Sequence, residues 1–597
     1  MRQKVLITTA NYSFTKSPVL FLGNWCLNSQ NKHVWSKMNY EVLDKKFFSI
    51  KNNLKINDYS KKIYETLLKE LSIELNNKHQ VNWPLKSWRI VVGPWLYRYV
   101  SCLNIKIELI KEAKRENINL LIESDDNINS LSLASYDLKD FSDKMLTDKY
   151  NKYLFIKIFK LLENNQVNDL NNIDNILLQN KENSKISLLD LFKNKFLKII
   201  ESTLCKKNKF IFYKIYLGNI VTTLKLCLKS NEVPFKYNIG EKKFFFNFDS
   251  NLRKKFLKLS KNKSNDNEKI IRYFLTESLP TIYFEGFEKM ISYLKKSFLP
   301  TRKIDFIYTC NLLSDTPFKF WTGKKVSEGT KIIHGQHGGN TNFSKDSFKN
   351  EHEMDISEHY ISWGWENDNP KVKKGYCSAV ISKDVYKKKK PNSKILLVLP
   401  PIYHYHFYNK ISFFNELSLG EKETVLASSK LNLNFIENNT EIKNDLYIRL
   451  HPNDYRTETP FKTILTKKFK NLQYDTSKDL LKTFKNYELI IFGYFEATPF
   501  LQCLALNKPC MVLSPLDKNI YLYETLRYFE KFTKLGIIDN KAFNLKQKLQ
   551  TFGGDINRWW YKNEIQETIN MFTFNNAFKD NNSIERIVNI LKRASTK

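Results

Sequence analysis

A histidine and a proline follow a predicted strand in the second half of the chain. The segment LYIRLHPND covers residues 446–454, and its apolar run ends in Arg449, His451 and Pro452. Residues just beyond a parallel strand face the ligand crevice of a doubly wound sheet, where a ring N–H of His451 can donate to a phosphate oxygen. Pro452 fixes the local backbone and ends the strand. The segment predicts a phosphate site, and a histidine that merely caps the strand is the alternative.

A second candidate anion site lies in ELIIFGYFEATPFLQCLALNKPCMVLSP, residues 488–515. Thr498 followed by Pro499 is a favourable N-cap and first-turn pair, so the predicted helix Pro499–Asn507 presents free N–H groups that can bind an anion. Glu496, in the preceding turn, is predicted to accept hydrogen bonds from ribose hydroxyls. A purely structural cap at Thr498 and a solvated acid at Glu496 are the alternatives.

A glycine-rich cluster, KIIHGQHGGNTNFSKDSFKNEHEMDISEHYISWGWE, covers residues 331–366. Its glycines allow positive φ and close approach of the backbone to a ligand. The polar residues of the turn and the acids after it are His334, Gln336, His337, Asn340, Glu351, Glu353 and Asp355. One of these histidines or carboxylates could serve as the general base for an acceptor hydroxyl, with a surface acid or a satisfied turn histidine as the alternative. No HExxH pattern occurs, and we predict no metal site.

Short apolar runs predict the strands that position these residues. Continuous apolar strands separated by helices indicate a parallel sheet covered on both faces. An amphipathic helix is predicted over residues 58–76, between the first two predicted strands, so the start of the chain has a βαβ order. The predicted strands cover residues 4–9, 88–93, 305–311, 331–334, 359–363, 394–399, 446–450, 488–492 and 509–513.

Two other segments organise the chain. Residues from about 100 to 300 carry long Lys, Leu, Phe, Ile and Asn stretches with helical spacing, which predicts a mainly helical insertion. The lysine-rich stretch over residues 371–393 is predicted to link two α/β halves.

Composition excludes several classes of protein. The 597 residues are 42% hydrophobic and 26% charged, which excludes wholesale disorder, and only 17 Gly and 16 Pro exclude collagen-like and proline-rich architectures. The net charge of +34 suits nucleic acid, an anionic membrane or an acidic substrate. Because lysine is spread along the whole chain, we expect no nucleic-acid partner, and a peripheral membrane contact stays an expectation.

The sequence also bears on the compartment. No run approaches the roughly 20 apolar residues of a membrane-spanning helix, and the start, MRQKVLITTANYSFTK, lacks the long apolar stretch of a signal peptide. We therefore expect a cytoplasmic protein. The eight cysteines are scattered without a CxxC pair, which favours reduced core cysteines over disulfides or zinc.

Several motifs together resemble a family of transferases encoded in bacterial surface-polysaccharide loci. The most specific part is QHGG followed by the acid cluster and WGW. In chain order the motifs are LFLGNWCL (20–27), WRIVVGPWL (88–96), LTDKYN (146–151), LPTIYFEGF (279–287), HGQHGGN (334–340), EHEMDISEHYISWGW (351–365), LHP (450–452), the 496–509 element and INRWW (556–560).

The resemblance implies a GT-B fold, in the clan of Kdo transferases, sialyltransferases with an HP motif and CDP-glycerol polymerases. In those relatives a His-Pro pair and a Ser or Thr at a helix start hold the phosphate of a cytidine nucleotide. This would make His451 and Thr498 phosphate ligands, and Glu496 a ribose or base contact. The paired acidic base motif of the sialyltransferases is absent here.

The resemblance also puts the general base and the acceptor contacts in the N-terminal half. We expect Glu353 to be the base and His337 to orient the sugar or acceptor. The residues expected to contact acceptor or sugar are His334, Gln336, Gly338 and Asn340.

The resulting prediction is an α/β, GT-B-like protein with two Rossmann-like domains facing a cleft. Residues 1–385 would form the acceptor side with its helical insertion, 390–555 the nucleotide-binding domain and 556–597 a helical tail. The predicted activity is metal-independent transfer, without a cofactor, of a Kdo- or sialic-acid-like sugar from a CMP-linked donor to a surface polysaccharide or lipid-linked glycan such as lipopolysaccharide. The alternatives are a polyol-phosphate transferase that uses a CDP-linked donor and a non-catalytic glycan-assembly protein of the same fold.

Overall fold

The structure, a computed structural model, divides the chain into two compact units. The first holds residues 1–198, 237–303 and 312–330, and the second holds residues 199–236, 304–311 and 331–597. The described residues are 3–27, 31–43, 50–116, 119–123, 133–164, 176–178, 192, 210–217, 220–230, 246–257, 266–297, 299–313, 315–339, 341–345, 347–381, 383–386, 394–400, 429–452, 461–495, 498–516, 518–519, 521–580 and 582–595.

A four-stranded parallel sheet forms part of the first unit. Its strands are β1 (Lys4–Ile7), β2 (Val19–Phe21), β3 (Tyr40–Val42) and β4 (Leu120–Ile122), in the order β3-β2-β1-β4. The predicted first strand is confirmed, and the helix predicted over 58–76 lies within Ile50–His79. The partners of β1 are β2 and β4, neither of which the sequence analysis predicted.

The strand predicted over residues 88–93 is wrong. This segment lies in the helix Leu85–Val91, which begins after Pro84 and buries Trp88, Ile90 and Val91. A short apolar run has no periodicity that separates a buried strand from a buried helix. The other helices of this unit are Lys32–Trp35, Gly93–Glu116, Leu138–Lys144, Asp148–Asn164, Ser250–Phe256, Asp266–Ser278, Phe287–Lys296 and Thr316–Ser327.

The predicted helical insertion also contains strands. β5 (Ile176–Leu178) pairs antiparallel with β7 (Phe246–Phe248), and β6 (Phe210–Tyr213) is fully buried. The Phe, Ile and Tyr side chains of β6 favour a strand over a helix, because aromatic and β-branched side chains pack well on a pleated surface.

The second unit contains a five-stranded parallel sheet with β6 at one edge. The next strands are β8 (Phe306–Thr309), β9 (Lys331–Gly335), β10 (His359–Ser362) and β11 (Val372–Lys374), in the order β11-β10-β9-β8-β6. The predicted strands at β8, β9 and β10 are confirmed. β11 occupies the start of the predicted linker, so residues 372–374 are part of a sheet, while 387–393 lie outside the described residues.

A six-stranded parallel sheet completes this unit. Its strands are β12 (Ile395–Val398), β13 (Leu446–Arg449), β14 (Gln473–Tyr474), β15 (Leu489–Phe492), β16 (Cys510–Leu513) and β17 (Ile538–Asp539). Their order, β14-β13-β12-β15-β16-β17, reads 3-2-1-4-5-6 in chain order, which is the order of a Rossmann sheet. Four of these strands were predicted, and the α/β class with parallel sheets is confirmed.

Helices cover these two sheets, and the last one packs on the five-stranded sheet. In Ser583–Ser595, Ile587 and Leu591 join Phe212, Tyr308 and Ile333 in one hydrophobic core. The other helices of the second unit are Ile220–Ser230, Phe348–Asp355, 429–437, Phe461–Lys468, Leu480–Thr483, Thr498–Ala505, Tyr523–Lys534, Leu545–Thr551, Ile556–Trp560 and Asn563–Asn576.

Two further expectations concern cysteines and membranes. Seven cysteines are buried, as expected of core residues, and Cys205 lies outside the described residues. Among the helices that the structure describes, none combines the length and the apolar character needed to span a bilayer.

Candidate functional site

The turn after β9 is held from inside by Gln336, which is 1% exposed. Its Oε1 accepts hydrogen bonds from the Trp363 amide at 2.7 Å and from the Trp365 indole at 2.8 Å. Its Nε2 donates to the Gly338 carbonyl at 2.7 Å. The amide expected to contact a sugar therefore ties the glycine-rich turn to the WGW segment.

A buried polar layer lies next to this turn. His334 is 0% exposed and Glu353 is 1% exposed, with 3.7 Å between His334 Nδ1 and Glu353 Oε2. The Tyr360 hydroxyl donates to Glu353 at 3.3 Å, and Lys349 Nζ lies 3.9 Å from the other carboxylate oxygen. Burial raises the pKa of Glu353 to about 7, although Lys349 and Tyr360 act in the opposite direction. Burial holds the pKa of His334 well below its usual value.

His337 is the half-buried member of the cluster. Its ring meets that of Tyr216 edge-on, with 4.9 Å between the centroids. Burial, helped by the charges of Lys349 and Lys214, lowers the pKa of His337 to about 3. The imidazole is therefore neutral near pH 7.

Two residues with a left-handed backbone conformation lie beside His337. Lys214 and Tyr216, just beyond β6, have φ angles of 49° and 41°. Non-glycine residues in the left-handed region cost about 1–3 kcal/mol and cluster at functional sites. The strained turn presents the Tyr216 ring, which is 43% exposed, against His337.

The glycine-rich turn also meets the helix Thr498–Ala505. The Gly339 amide donates to the Thr498 hydroxyl at 3.1 Å. Close by, the Leu522 amide donates to the Phe343 carbonyl at 2.8 Å. The candidate base region and the candidate phosphate region, predicted from separate motifs, are therefore in direct contact.

The edge of the six-stranded sheet brings the other predicted residues together. In register, Val398 of β12 lies between Arg449 of β13 and Phe492 of β15. His451 follows β13 and Thr498 follows β15, so both lie beyond the carboxyl ends of strands that flank β12. The chain order reverses between β12 and β15, and such switch points bind ligands in doubly wound sheets.

His451 and Arg449 differ in their surroundings. His451 is half-buried, and burial lowers its pKa to about 4, so the ring is neutral near pH 7. The Arg449 guanidinium forms an ion pair with the Asp475 carboxylate and donates a hydrogen bond to the Ser477 hydroxyl at 2.8 Å. Arg449 therefore already has an ion-pair partner within the protein.

The other predicted site residues differ in exposure, and two of them are not described by the structure. Gly338 is buried and Pro452 is exposed. Asn340 and Glu496 lie outside the described residues. Within the described part of the chain, no group of three or more His, Cys, Asp or Glu side chains could hold a metal ion.

Three residues of the site did not stand out in the sequence. Lys349 precedes Glu353 by one helical turn, and this i, i+4 spacing was the signal available. Asp475 follows β14, which is paired with β13, so its position depends on register. Tyr216 comes from a distant segment and has no local signal.

Comparisons with known proteins bear on the class of activity. A family model described as LIC12162 family transferase matches residues 4–591. The resemblance to a transferase family is thereby confirmed. No curated protein matches the sequence.

Two solved structures show a remote likeness. The wall teichoic acid polymerase TagF, soaked with CDPG, is 10% identical, with a TM-score of 0.27 over 69% of this chain and 98% of its own. The UDP-GlcNAc 2-epimerase of Methanocaldococcus jannaschii, in complex with UDP-GlcNAc and UDP, is 15% identical, with a TM-score of 0.31 over 64% of this chain and 99% of its own. Likeness of this degree carries no inference about activity or ligands.

Proposed function

This chain belongs to the LIC12162 family of transferases, and on that premise we propose that it transfers a sugar from a nucleotide donor to a glycan. The proposed architecture is GT-B-like. It keeps residues 1–385 as the acceptor side, 390–555 as the nucleotide-binding domain and 556–597 as the tail. The donor is a CMP-linked acidic sugar of the Kdo or sialic acid type, and the acceptor is a surface polysaccharide or lipid-linked glycan.

One observation carries the proposal: the 3-2-1-4-5-6 sheet has His451 and Thr498 beyond the strands that flank β12. Nucleotides bind at this place in doubly wound sheets, with their phosphates at a helix start. The first amides of the helix Thr498–Ala505 and the ring N–H of His451 are the proposed phosphate donors. Glu496 keeps its proposed ribose contact.

His337 is the proposed general base. The acceptor hydroxyl attacks the anomeric carbon, the bond from that carbon to the phosphate oxygen breaks, and the nucleotide leaves with the electron pair. The proton of the hydroxyl passes to the neutral His337 ring. An anionic donor beside the ring raises its proton affinity during the reaction. The contact between Gly339 and Thr498 supports this role, because it holds the His337 turn against the proposed phosphate site.

Glu353 has a different role in this proposal from the one expected. With 1% of its surface exposed, its carboxyl group is covered by the protein in this structure. We assign it, with His334, to positioning the turn that carries His337. Tyr216, partly exposed against His337, offers an aromatic face on which a sugar ring can rest.

The leaving phosphate is stabilised without a metal ion in this proposal. Helix N–H groups and the His451 ring donate hydrogen bonds to the charge that develops on it. Arg449 is bound to Asp475, so its contribution is to fix the end of β13 beside His451.

Two other activities fit the same phosphate site. A polyol-phosphate transferase with a CDP-linked donor would send the phosphoryl group to the acceptor, so phosphorus would appear in the product. A non-catalytic assembly protein would bind the nucleotide without turnover.

A peripheral membrane contact on the inner face of the inner membrane is part of the proposal. The helix Ile220–Ser230 exposes Val221 by 55%, Leu224 by 42% and Leu228 by 76%. These residues share one helical face beside the exposed Lys225, a pattern that suits an anionic membrane surface. Lys229 of the same helix is paired with Glu585.

Thermal unfolding with CMP, CDP, UDP and GDP tests the nucleotide assignment. A ligand that binds the native state raises the unfolding midpoint, and we expect CMP and CDP to raise it most. His451→Ala should weaken that binding by about 1–3 kcal/mol, whereas the exposed control His33→Ala should not. No nucleotide response in the wild type, or an equal response in His451→Ala, would contradict the assignment.

A further inference from the structure

Three neighbouring strands of the five-stranded sheet each carry a polar or aromatic residue just beyond their carboxyl ends. Tyr216 follows β6, Asn311 follows β8 and His337 follows β9. Because β8 lies between the other two strands and all three are parallel, the three residues lie at one edge of the sheet. Ligands of doubly wound sheets bind outside this edge. Asn311 is the member of the three that has no part in the proposed reaction.

A hydrogen bond from Asn311 sets the direction of the Tyr216 hydroxyl. Asn311 Nδ2 donates to the phenolic oxygen at 3.3 Å. An amide nitrogen can only donate, so this contact uses a lone pair of the Tyr216 oxygen and leaves its proton for another acceptor. Tyr216 is 43% exposed, and its ring meets the His337 ring edge-on, with 4.9 Å between the centroids. The residue that contacts the proposed base therefore also carries an O–H group that can donate to a ligand.

The turn that carries Tyr216 is held in place by Cys310. The Cys310 amide donates to the Lys214 carbonyl at 3.3 Å, and its thiol donates to the Ile215 carbonyl at 3.7 Å. A Cβ atom at Gly335 would lie 2.6 Å from Cys310 Sγ, so glycine at this position leaves room for Cys310. Left-handed residues such as Lys214 and Tyr216 persist where their surroundings fix the backbone. The turn is therefore preorganised, which reduces the entropy lost when a ligand binds.

We propose that the Tyr216 hydroxyl determines which acceptor sugar binds, because it donates a hydrogen bond to the oxygen atom next to the hydroxyl group that loses its proton to His337. The inference rests on the proposed function, which brings a sugar hydroxyl to His337. Tyr216 is the binding residue, and Asn311 is a positioning residue that acts through it. The acceptor class is a sugar that carries a second hydroxyl group beside the nucleophilic one, and a sugar that is deoxygenated there binds more weakly.

Saturation-transfer NMR of the full chain in the presence of CMP tests this site. The probes are methyl β-D-glucopyranoside, methyl β-D-galactopyranoside and methyl α-D-mannopyranoside, and we expect at least one of them to bind. Tyr216→Phe keeps the aromatic face and removes the donor, so it should weaken binding about threefold to tenfold, the range for one neutral hydrogen bond. One monodeoxy analogue of the bound glycoside should show the same loss with the wild type. Tyr523→Phe, at another exposed tyrosine, is the control and should leave the affinity unchanged.

Two substitutions of Asn311 test its positioning role. Asn311→Asp keeps the size of the side chain, but an ionised carboxylate only accepts hydrogen bonds, so it captures the phenolic proton and should weaken glycoside binding as much as Tyr216→Phe does. Asn311→Ala lets the hydroxyl rotate and should cause a smaller loss. The double variant of Tyr216→Phe and Asn311→Asp should bind no more weakly than either single variant, because both changes remove the same hydrogen bond to the sugar.

The outcomes distinguish this inference from the proposed function. Failure of all three glycosides to bind the wild type, undiminished affinity in Tyr216→Phe, or additive losses in the double variant would overturn the role of the Tyr216 hydroxyl. Binding of CMP, measured in the same samples, should be equal in the wild type and in every variant. A wild type that binds a glycoside through Tyr216 but does not bind CMP would contradict the nucleotide assignment and leave the sugar contact in place.

Discussion

The amide of Gly339 donates a hydrogen bond to the hydroxyl of Thr498 across 3.1 Å. Gly339 follows a strand of the five-stranded sheet, and Thr498 begins a helix after a strand of the six-stranded sheet. A Cβ atom at position 339 would lie 2.8 Å from Leu501 Cδ1 and 3.1 Å from Thr498 Cα. The close approach therefore favours glycine at position 339, and it links the candidate base to the candidate phosphate site.

Thr498→Val should weaken both stability and nucleotide binding. Valine keeps the shape of threonine but removes the acceptor of the Gly339 amide, which costs about 1–3 kcal/mol when a buried donor is left unpaired. Thr498→Ser keeps the hydroxyl and should resemble the wild type. Urea unfolding and nucleotide titration measure the two effects, and equal behaviour of the Val and Ser variants would show that the hydrogen bond is unimportant.

His337→Gln should lower kcat by about 10²–10⁴ and leave the nucleotide Kd unchanged, because it removes the proposed base. Glu353→Gln should cause a smaller loss of kcat, since the buried Glu353 acts through the turn. Steady-state kinetics at saturating donor compare the two variants. The opposite ranking would return the role of base to Glu353.

Glu353 should make stability depend on pH. Its carboxyl pKa is about 7 in the folded protein against 4.5 ordinarily, with His334, Lys349 and Tyr360 around it. A raised pKa means that its stabilising contribution is complete below about pH 4.5 and is lost as the pH rises through 7.

Glu353→Gln removes this dependence. From pH 4.5 to pH 8 the variant should gain on the order of 3 kcal/mol in unfolding free energy relative to the wild type. Denaturant unfolding across this range checks the gain, with Glu366→Gln as an exposed control. Parallel pH profiles for the wild type and Glu353→Gln would show that the carboxyl group titrates normally.

Activity should survive EDTA. In the proposed site, helix amides and His451 stabilise the leaving phosphate, a task that hydrogen-bond donors can perform without a cation. Turnover is measured after dialysis against the chelator. Activity that disappears and returns with Mg²⁺ or Mn²⁺ would contradict the proposed mechanism.

Vesicles that contain phosphatidylserine should sediment with the protein. Leu224→Asn combined with Leu228→Asn should weaken this binding about tenfold or more, because burial of each leucine contributes about 1.5–3 kcal/mol. Met571→Asn, at another exposed apolar position, is the control. Equal sedimentation of the double variant would remove the helix Ile220–Ser230 as the membrane contact.

Local patterns predicted the strands that end at the candidate site. The apolar runs at β9, β13 and β15 end abruptly in glycine or polar residues, and each strand lies where expected. The segment around Trp88, which lies between two prolines, was wrongly predicted to be a strand. Its apolar residues are too few and too continuous to show the spacing of either a helix or a strand. The helical reading of Phe210–Tyr213 failed because a strand's place at a sheet edge depends on its partner, β8, far along the chain.

In the candidate site, too, local sequence predicted some features, while others depend on distant segments. Residue type and position identified His337, His451 and Thr498 as residues at strand or helix ends. The sequence could not reveal that Gln336 accepts hydrogen bonds from two tryptophans, that Arg449 forms an ion pair with Asp475, or that Glu353 is buried. Each of these depends on partners in other segments, and local sequence carries no record of them.

The helix Ser583–Ser595 has a consequence for synthesis of the chain. It supplies one wall of the core of the five-stranded sheet, whose last strand ends at Lys374. At about 5–20 residues per second, the ribosome needs tens of seconds to pass from that strand to this helix. During that interval the apolar face that includes Phe212 and Ile333 lacks its native cover, so the nascent chain is a substrate for chaperones at a stage when its strands are already complete.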